Sequence, residues 1–372
     1  MVAWRYSHNR SHTRTQDRKT RGQTQTQSSP ALAHRKDPGG KRDRANRRTD
    51  QQEILVADDL GDEQHGVITA HFGQQVEVES ADGPGAENRT TRRCHFRATL
   101  EQLVVGDKVI WQPPKSEGLG VVVAIEPRDT VLKRPDMYGN LKPVAANVEQ
   151  MLVVFAPLPT PSSSLLDRYL VAAELSGIAA TLVLNKADLI DDTLRPFVDE
   201  LSDMYRHLGY PVLEVCAHQR EGLTPLHEAL AGKTSVFVGQ SGVGKSSLIN
   251  GVLPEADLQV GELSSNSGLG QHTTVTARLV HLPTGGQLID SPGIREFGLW
   301  HIGEDDLLHG YRELSELAGY CKFRNCSHRN EPGCALILAA QNGDIDEERL
   351  ANFYQISDTL DEDGRERYST DS

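Results

Sequence analysis

Two short runs in this chain could hold a nucleotide between them. Gly239-Gln240-Ser241-Gly242-Val243-Gly244-Lys245-Ser246-Ser247 has the spacing of a phosphate-cradling loop. Its glycines let backbone N–H groups turn onto a β-phosphate, and the amino end of the following helix adds positive potential. Lys245 is placed to reach the β- and γ-phosphates and Ser246 to ligate Mg²⁺. Asn185-Lys186-Ala187-Asp188 has the make-up of a base-reading loop. The Asp188 carboxylate can accept two hydrogen bonds from a guanine, at N1–H and at the 2-amino group. Adenine offers neither donor, so the acceptor would be left unpaired. Asn185 braces the base and the loop. Cys216-Ala217 lies where a backbone amide can meet the guanine O6.

Asp290-Ser291-Pro292-Gly293 follows a short apolar strand and fits the position where an Asp holds Mg²⁺ through water and a Gly amide meets the γ-phosphate. Gly270-Gln271-His272-Thr273-Thr274 falls between the phosphate loop and Asp290, the place of a first switch. Thr274 is the preferred Mg²⁺ ligand and Thr273 the next. A water-orienting Gln commonly follows the glycine of the Asp-x-x-Gly element, but that position is Ile294, which cannot orient water. His272 is the natural substitute as the catalytic residue. Slow intrinsic turnover follows, with a partner needed to order the switches.

A third cluster, Cys321-x4-Cys326-x-His328-x5-Cys334, gives three thiolates and an imidazole in one short segment. Such a set suits a tetrahedral Zn²⁺ with no open position, hence a structural ion. Lys322, Arg324 and Arg329 decorate it and could face phosphates.

The elements that must position these groups are legible as patterns. Residues 66–69, 75–78, 94–97, 107–111 and 121–125 are short alternating runs with turn residues between them. They predict a small closed barrel of the OB type, with an SH3-like barrel as the alternative. From about residue 147 strands and helices alternate. Strands are expected at 150–155, 180–184, 211–215, 235–238 and 287–289, and helices at 165–175, 193–208, 223–231 and 246–252. That alternation predicts a parallel sheet covered on both faces. Helical pattern returns after 304 and from about 344 to 360. The division expected is a disordered basic extension over 1–57, an OB-fold RNA-binding domain over 58–130, a GTPase domain over 131–300, and a helical zinc-binding domain with a polar tail over 301–372.

Charge is uneven. The chain of 372 residues has a formal net charge of −13, yet residues 1–50 hold 13 Lys/Arg against 4 Asp/Glu. A basic arm on an acidic body suits a polyanion, most simply nucleic acid. No 18-residue apolar run exists, and no apolar segment backs the charged start, so neither a membrane span nor a secretory signal is expected. Five cysteines, three of them clustered late, suit a reducing compartment and a metal. A cytoplasmic monomer is the resulting expectation.

In ordinary GTPases the phosphate loop precedes the guanine reader. Here the order is reversed, so the chain resembles a circularly permuted GTPase. With Gly270 to Thr274, Asp290 to Glu296 and the Cys3His set, it resembles the small-ribosomal-subunit biogenesis GTPases of the RsgA (YjeQ) family over roughly residues 50–360. The resemblance implies an OB barrel, a permuted GTPase core and a zinc domain. It implies binding of GTP and GDP, hydrolysis of GTP stimulated by the small (30S) subunit and its 16S rRNA, and a role in late maturation of that subunit. It also implies that His272 is catalytic. The alternative is an rRNA-binding assembly factor whose affinity nucleotide toggles with little catalysis.

Overall fold

The computed structural model describes residues 59–80, 89–136, 140–219, 221–253, 277–291, 294 and 302–368. His272, Thr273, Thr274 and Gly293 lie outside the described residues, as does the basic extension over 1–57.

Five strands come first: β1 (Gln64–His71), β2 (Gln75–Ser80), β3 (Thr91–Phe96), β4 (Lys108–Gln112) and β5 (Gly120–Ile125). They pair in the order β1-β2-β3-β5-β4, and β4 returns to β1, so the sheet closes. β3 runs parallel to β5 while the other pairs are antiparallel. This five-stranded closed barrel is of the OB type. Alternation fills its interior with Ile68, Val76, Val78, Cys94, Val109, Trp111 and Val122.

The core sheet is built from β8 (Gln150–Phe155), β9 (Ala179–Leu184), β10 (Val212–Glu214), β11 (Thr234–Gly239), β12 (Arg278–His281) and β13 (Gln287–Asp290). Its order is β10-β9-β8-β11-β13-β12, parallel throughout except for β12. β8 is buried along its whole length. Met151, Val153 and Phe155 enter one core, and Leu152 and Val154 enter the other. That is why β8 reads as an unbroken apolar run. On the first face lie α1 (Ser163–Leu175) and α2 (Arg195–His207); on the second lie α3 (Thr224–Leu230) and α4 (Lys245–Val252). Ser162 starts α1 by accepting a hydrogen bond from the Leu165 amide at 3.3 Å.

Four further helices, α5 (Glu304–His309), α6 (Arg312–Ala318), α7 (Ala335–Asn342) and α8 (Glu347–Tyr368), pack on the α1 face. Leu307, Tyr311, Leu314, Leu336, Phe353 and Ile356 join the same buried cluster as Tyr169 and Leu170 of α1. At the centre of that contact Asp167 and Arg349 are both fully buried.

Three strands were not expected from sequence. β6 (Val131–Pro135) and β7 (Leu141–Ala146) form a separate two-stranded ribbon. Each carries a proline, which demotes a run to edge strand or loop when read alone. β12 falls directly after the segment read as a switch. Barrel and core sheet meet where Ala70 of β1 pairs with Arg278 of β12. Near this seam, at the amino ends of the parallel strands, lies a cavity of about 420 Å³ lined by Lys108, Asn147, Glu149 and Thr234 among others. Its polar groups are satisfied internally: Asn147 donates to the Gly106 carbonyl at 2.8 Å and Glu149 accepts from the Thr234 amide at 2.8 Å.

Candidate nucleotide site and metal cluster

The nucleotide motifs gather at the opposite, carboxyl ends of the parallel strands, where open α/β sheets place their ligands. β11 ends at Gly239 and α4 begins at Lys245, so the phosphate loop spans the strand-to-helix turn. β11 sits between β8 and β13, which brings the loop beside Asp290 at the end of β13. Gly239 has φ 139°, and a Cβ there would stand 2.2 Å from the Val154 carbonyl oxygen. Gly244 has φ 96°, and its Cβ would stand 2.4 Å from Asn185 Nδ2. Both positions require glycine, for conformation and for space. Lys245 Nζ donates to the carbonyls of Gly239 at 2.6 Å and Gln240 at 2.8 Å. Its ammonium is therefore held within the loop that phosphates would occupy.

The residues read from the sequence as guanine-binding are stitched to that loop across a long sequence gap. Asn185, only 1% exposed, donates from Nδ2 to the Val243 carbonyl at 2.9 Å and accepts at Oδ1 from the Ala217 amide at 3.2 Å. One side chain thus ties together the phosphate loop, the base-reading loop and the loop after β10. Lys186, at φ 60°, donates from Nζ to the Gly242 carbonyl at 2.7 Å and to the Leu158 carbonyl at 2.9 Å. Ala187 donates its amide to Val215. Asp188 is exposed at the end of this arrangement, with Cys216 beside it. Sequence reasoning missed the Leu158 carbonyl. The signal for it was position alone, just past β8 and next to the phosphate-loop strand.

Of the segments read from the sequence as switches, Asp290, Ser291 and Ile294 lie among the described residues. Asp290 is half-buried and pairs with Arg278, so β12 enters the sheet beside the nucleotide end of β13. Thr274 stands four residues before Arg278 in the chain. Ile294 is 1% exposed and belongs to the core cluster. The side chain after Gly293 therefore faces the interior.

Cys321, Cys326, His328 and Cys334 come together as a cluster whose ligand atoms all lie within 4.8 Å of one another. Cys321 Sγ stands 3.4 Å and Cys334 Sγ 3.6 Å from His328 Nδ1, with 4.0 Å between the two sulfurs. A tetrahedral ion with metal–sulfur bonds of about 2.3 Å and a metal–nitrogen bond of about 2.0–2.1 Å requires edges of roughly 3.8 Å and 3.5 Å. The donor set and its spacing fit such an ion. His328 reaches its place through a left-handed backbone, φ 61°. Glu331 braces the turn: its carboxylate accepts from the Ser327 amide and hydroxyl at 2.9 and 2.6 Å, and from the amides of Arg329 and Asn330 at 3.1 Å each. These bonds, that of the Ser327 hydroxyl first, hold the Glu331 carboxyl down at about 2. Tyr354 of α8 donates its hydroxyl to the His328 carbonyl, fastening the cluster to the last helix.

Comparison with known proteins places this arrangement. The family model of the RsgA GTPase matches residues 125–300. The chain is 55% identical over 319 residues to the small ribosomal subunit biogenesis GTPase RsgA of Ectopseudomonas mendocina (strain ymp), covering 86% of this chain and 92% of that one. It is 54% identical over 320 residues to the protein of the same name from Pseudomonas fluorescens (strain Pf0-1), with the same coverage of 86% and 92%. Among solved structures it is similar to YjeQ from Thermotoga maritima, at TM-score 0.66 and 31% identity over 80% of this chain and 98% of that one. It is similar also to YloQ, a circularly permuted GTPase, at TM-score 0.65 and 25% identity over 81% and 96%.

Proposed function

The chain belongs to the RsgA GTPase family, whose members hydrolyse GTP, and from that premise we propose that it acts in small ribosomal subunit biogenesis as a subunit-stimulated GTPase. The observation that supports this most is the joining of phosphate loop and guanine reader by Asn185 in spite of their reversed order in the chain. GTP lies across the carboxyl ends of β9, β11 and β13, with Gly239 to Ser247 around its phosphates and Asp188 on its base. Ser246, Asp290 and Thr274 or Thr273 would hold Mg²⁺, which would supply positive charge against the phosphates. His272 orients the attacking water.

The barrel over 58–130 and the helical unit over 301–372 flank the GTPase domain over 131–300 and face the 16S rRNA. The Cys3His cluster holds one structural Zn²⁺. Among the described residues no helix is long and apolar enough to cross a membrane; the place of action is the cytoplasm, with the protein as a monomer. The test is GTP turnover with and without purified small subunits, with large subunits as control. Stimulation by small subunits alone is expected. Tight GTP binding without stimulation would replace this reading with a nucleotide-toggled rRNA-binding factor.

The zinc assignment carries its own prediction. Groups that orient ligands typically change metal affinity ten- to a hundredfold when altered. Glu331→Gln removes the charge that gathers four donors, so zinc affinity, read by competition with a chromophoric chelator, falls by about that factor. An unchanged affinity would mean that the turn holds its shape without the carboxylate. Because the Glu331 carboxyl is depressed, its bracing is fully present above the ordinary glutamate range and is lost only as pH falls toward 2.

A further inference from the structure

The turn between α6 and α7 carries aromatic rings that the fold leaves in water. Of the described aromatic side chains three are exposed, Phe197, Tyr320 and Phe323, and the last two stand close together in the chain beside the Cys3His cluster. Tyr320 is 79% exposed, the most of any large apolar side chain among the described residues. A single exposed ring needs no explanation, but neighbouring rings at one surface do. The backbone holds them there. Tyr320 donates its amide to the Leu317 carbonyl at 3.0 Å, and Lys322 donates its amide to the Gly333 carbonyl at 3.0 Å. Between them Cys321 Sγ accepts from the Ala335 amide at 3.3 Å. With Cys321 committed to the cluster, its neighbours on either side are kept outside it.

The same turn is a basic island on an acidic chain. Residues 319–335 hold three Lys/Arg against one Glu, where the whole chain has a formal net charge of −13. The structure separates the three cations. Arg329 is committed to the body, since its Nη2 meets Asp358 at 2.7 Å and donates to Ser357 Oγ at 3.0 Å. Glu331, the one acid, is engaged by donors of its own turn. Lys322 and Arg324 are exposed, and among the described residues neither meets a carboxylate. Lys322 Nζ stands 5.5 Å from the centre of the Phe323 ring, so cation and ring share one surface. Exposed rings beside such cations suit a single strand of RNA, whose unstacked bases offer π-faces to the rings and whose phosphates meet the cations. A duplex hides those faces. We propose that Tyr320 and Phe323 form a stacking platform for unpaired RNA bases, with Lys322 and Arg324 on the adjoining phosphates. The proposal deepens the small-subunit reading and rests on it for the source of the RNA.

The test uses the full, zinc-loaded chain and a labelled oligouridylate of about twelve nucleotides, within the usual reach of a single-strand site. An RNA duplex of the same length is the control, and raised ionic strength weakens purely ionic contacts. Tyr320→Ala and Phe323→Leu are each expected to weaken oligouridylate binding about five- to 150-fold, the worth of one base–aromatic stack. Duplex binding and zinc content should not change. Tyr320→Trp and Phe323→Tyr keep a π-face and are expected to retain affinity. Stacking releases no counterions, so the ring variants should leave the salt slope in place, while Lys322→Ala and Arg324→Ala each reduce it by about 0.7. Unchanged oligouridylate affinity, an equal loss for the duplex, or aromatic replacements that behave like the non-aromatic ones would overturn the proposal. Loss of zinc would overturn it as well, by assigning the rings to the cluster. Loss of small-subunit binding with oligouridylate binding intact would replace the RNA with a protein partner. The wild-type chain separates the two levels. If it binds oligouridylate through the rings while small subunits leave its GTP turnover unchanged, the platform stands and the function proposed above fails. If stimulation holds while the ring variants bind RNA normally, only the platform fails.

Discussion

Arg349→Ala is expected to cost the folded body about 3–5 kcal/mol, the usual loss when one partner of a buried ion pair is removed. Arg349 is 1% exposed and lies on Asp167, which is fully buried. It also donates to both oxygens of Glu313, at 2.7 Å from Nε and 3.2 Å from Nη2. Asp167 accepts in addition from Tyr205 at 2.7 Å, from Asn352 at 2.8 Å and from Tyr311 at 3.4 Å. The guanidinium lies over the Tyr311 ring, 4.3 Å from its centre. Burial works against the charge on Arg349, yet Asp167 and Glu313 hold its pKa above the ordinary arginine value.

Removing Arg349 leaves Asp167 facing the core without its cation. Burial already pushes the Asp167 carboxyl upward, and loss of Arg349 adds to that shift. A carboxyl whose folded pKa is raised favours the fold at low pH and opposes it as pH rises through that value. The deficit of Arg349→Ala is therefore expected to shrink on acidification. Denaturant unfolding at neutral and mildly acidic pH measures both effects. The paired change Asp167→Asn with Arg349→Met should recover part of the loss, because it removes the fully buried unpaired carboxylate and leaves only that of the partly exposed Glu313 without its cation. A neutral-pH loss below about 1 kcal/mol would show that water or neighbouring groups replace the cation.

The network also fixes how the unit carrying the Cys3His cluster is attached. Asp167 belongs to α1, while Arg349 and Asn352 belong to α8, and Ser163 at the start of α1 donates to Glu348 at 2.5 Å. Further along, Arg312 of α6 donates to Glu174 of α1 at 2.8 Å and lies over Tyr210. The segment before α1 meets the nucleotide loops at the Leu158 carbonyl through Lys186. Helix α1 thus stands between the phosphate loop and the metal cluster.

His272→Ala is expected to reduce subunit-stimulated GTP turnover by about 10²–10⁴-fold, the range for a positioned acid–base or water-orienting group. GTP affinity and subunit binding should persist. The reason lies in Ile294. The common water-orienting position is taken by a side chain buried in the core, so it can neither reach nor polarise water. Another group must do so, and His272 lies in the segment that leads into β12. Through the pairing of Arg278 with Asp290, β12 begins at the nucleotide end of the sheet. Turnover measured with saturating small subunits, beside equilibrium GTP binding, separates chemistry from binding. Full turnover in the variant would assign the water to a different residue.

The chemistry of this chain was written in the sequence because each motif is local. A phosphate loop needs glycines, a lysine and a serine at fixed spacing. A base reader needs one carboxylate after a strand, and a metal site needs four soft donors in one short segment. The apolar run of β8 and the alternation of the barrel strands were legible for the same reason, since burial on one or two faces imposes a period on neighbouring residues. Ribbon β6–β7 was not legible, because its prolines and charges read as linker and its stability comes from packing Leu132 and Ala145 into a distant core. Nor was the pairing of Asp167 with Arg349, which are 182 residues apart, or the thiol of Cys216 on Asp188. Contacts of that kind carry no local period. They depend on which strand lies beside which and on how closely helices approach, and that is decided by the packing of the whole sheet with both of its covered faces. Sequence therefore determined which groups could act, and the tertiary structure decided which of them meet.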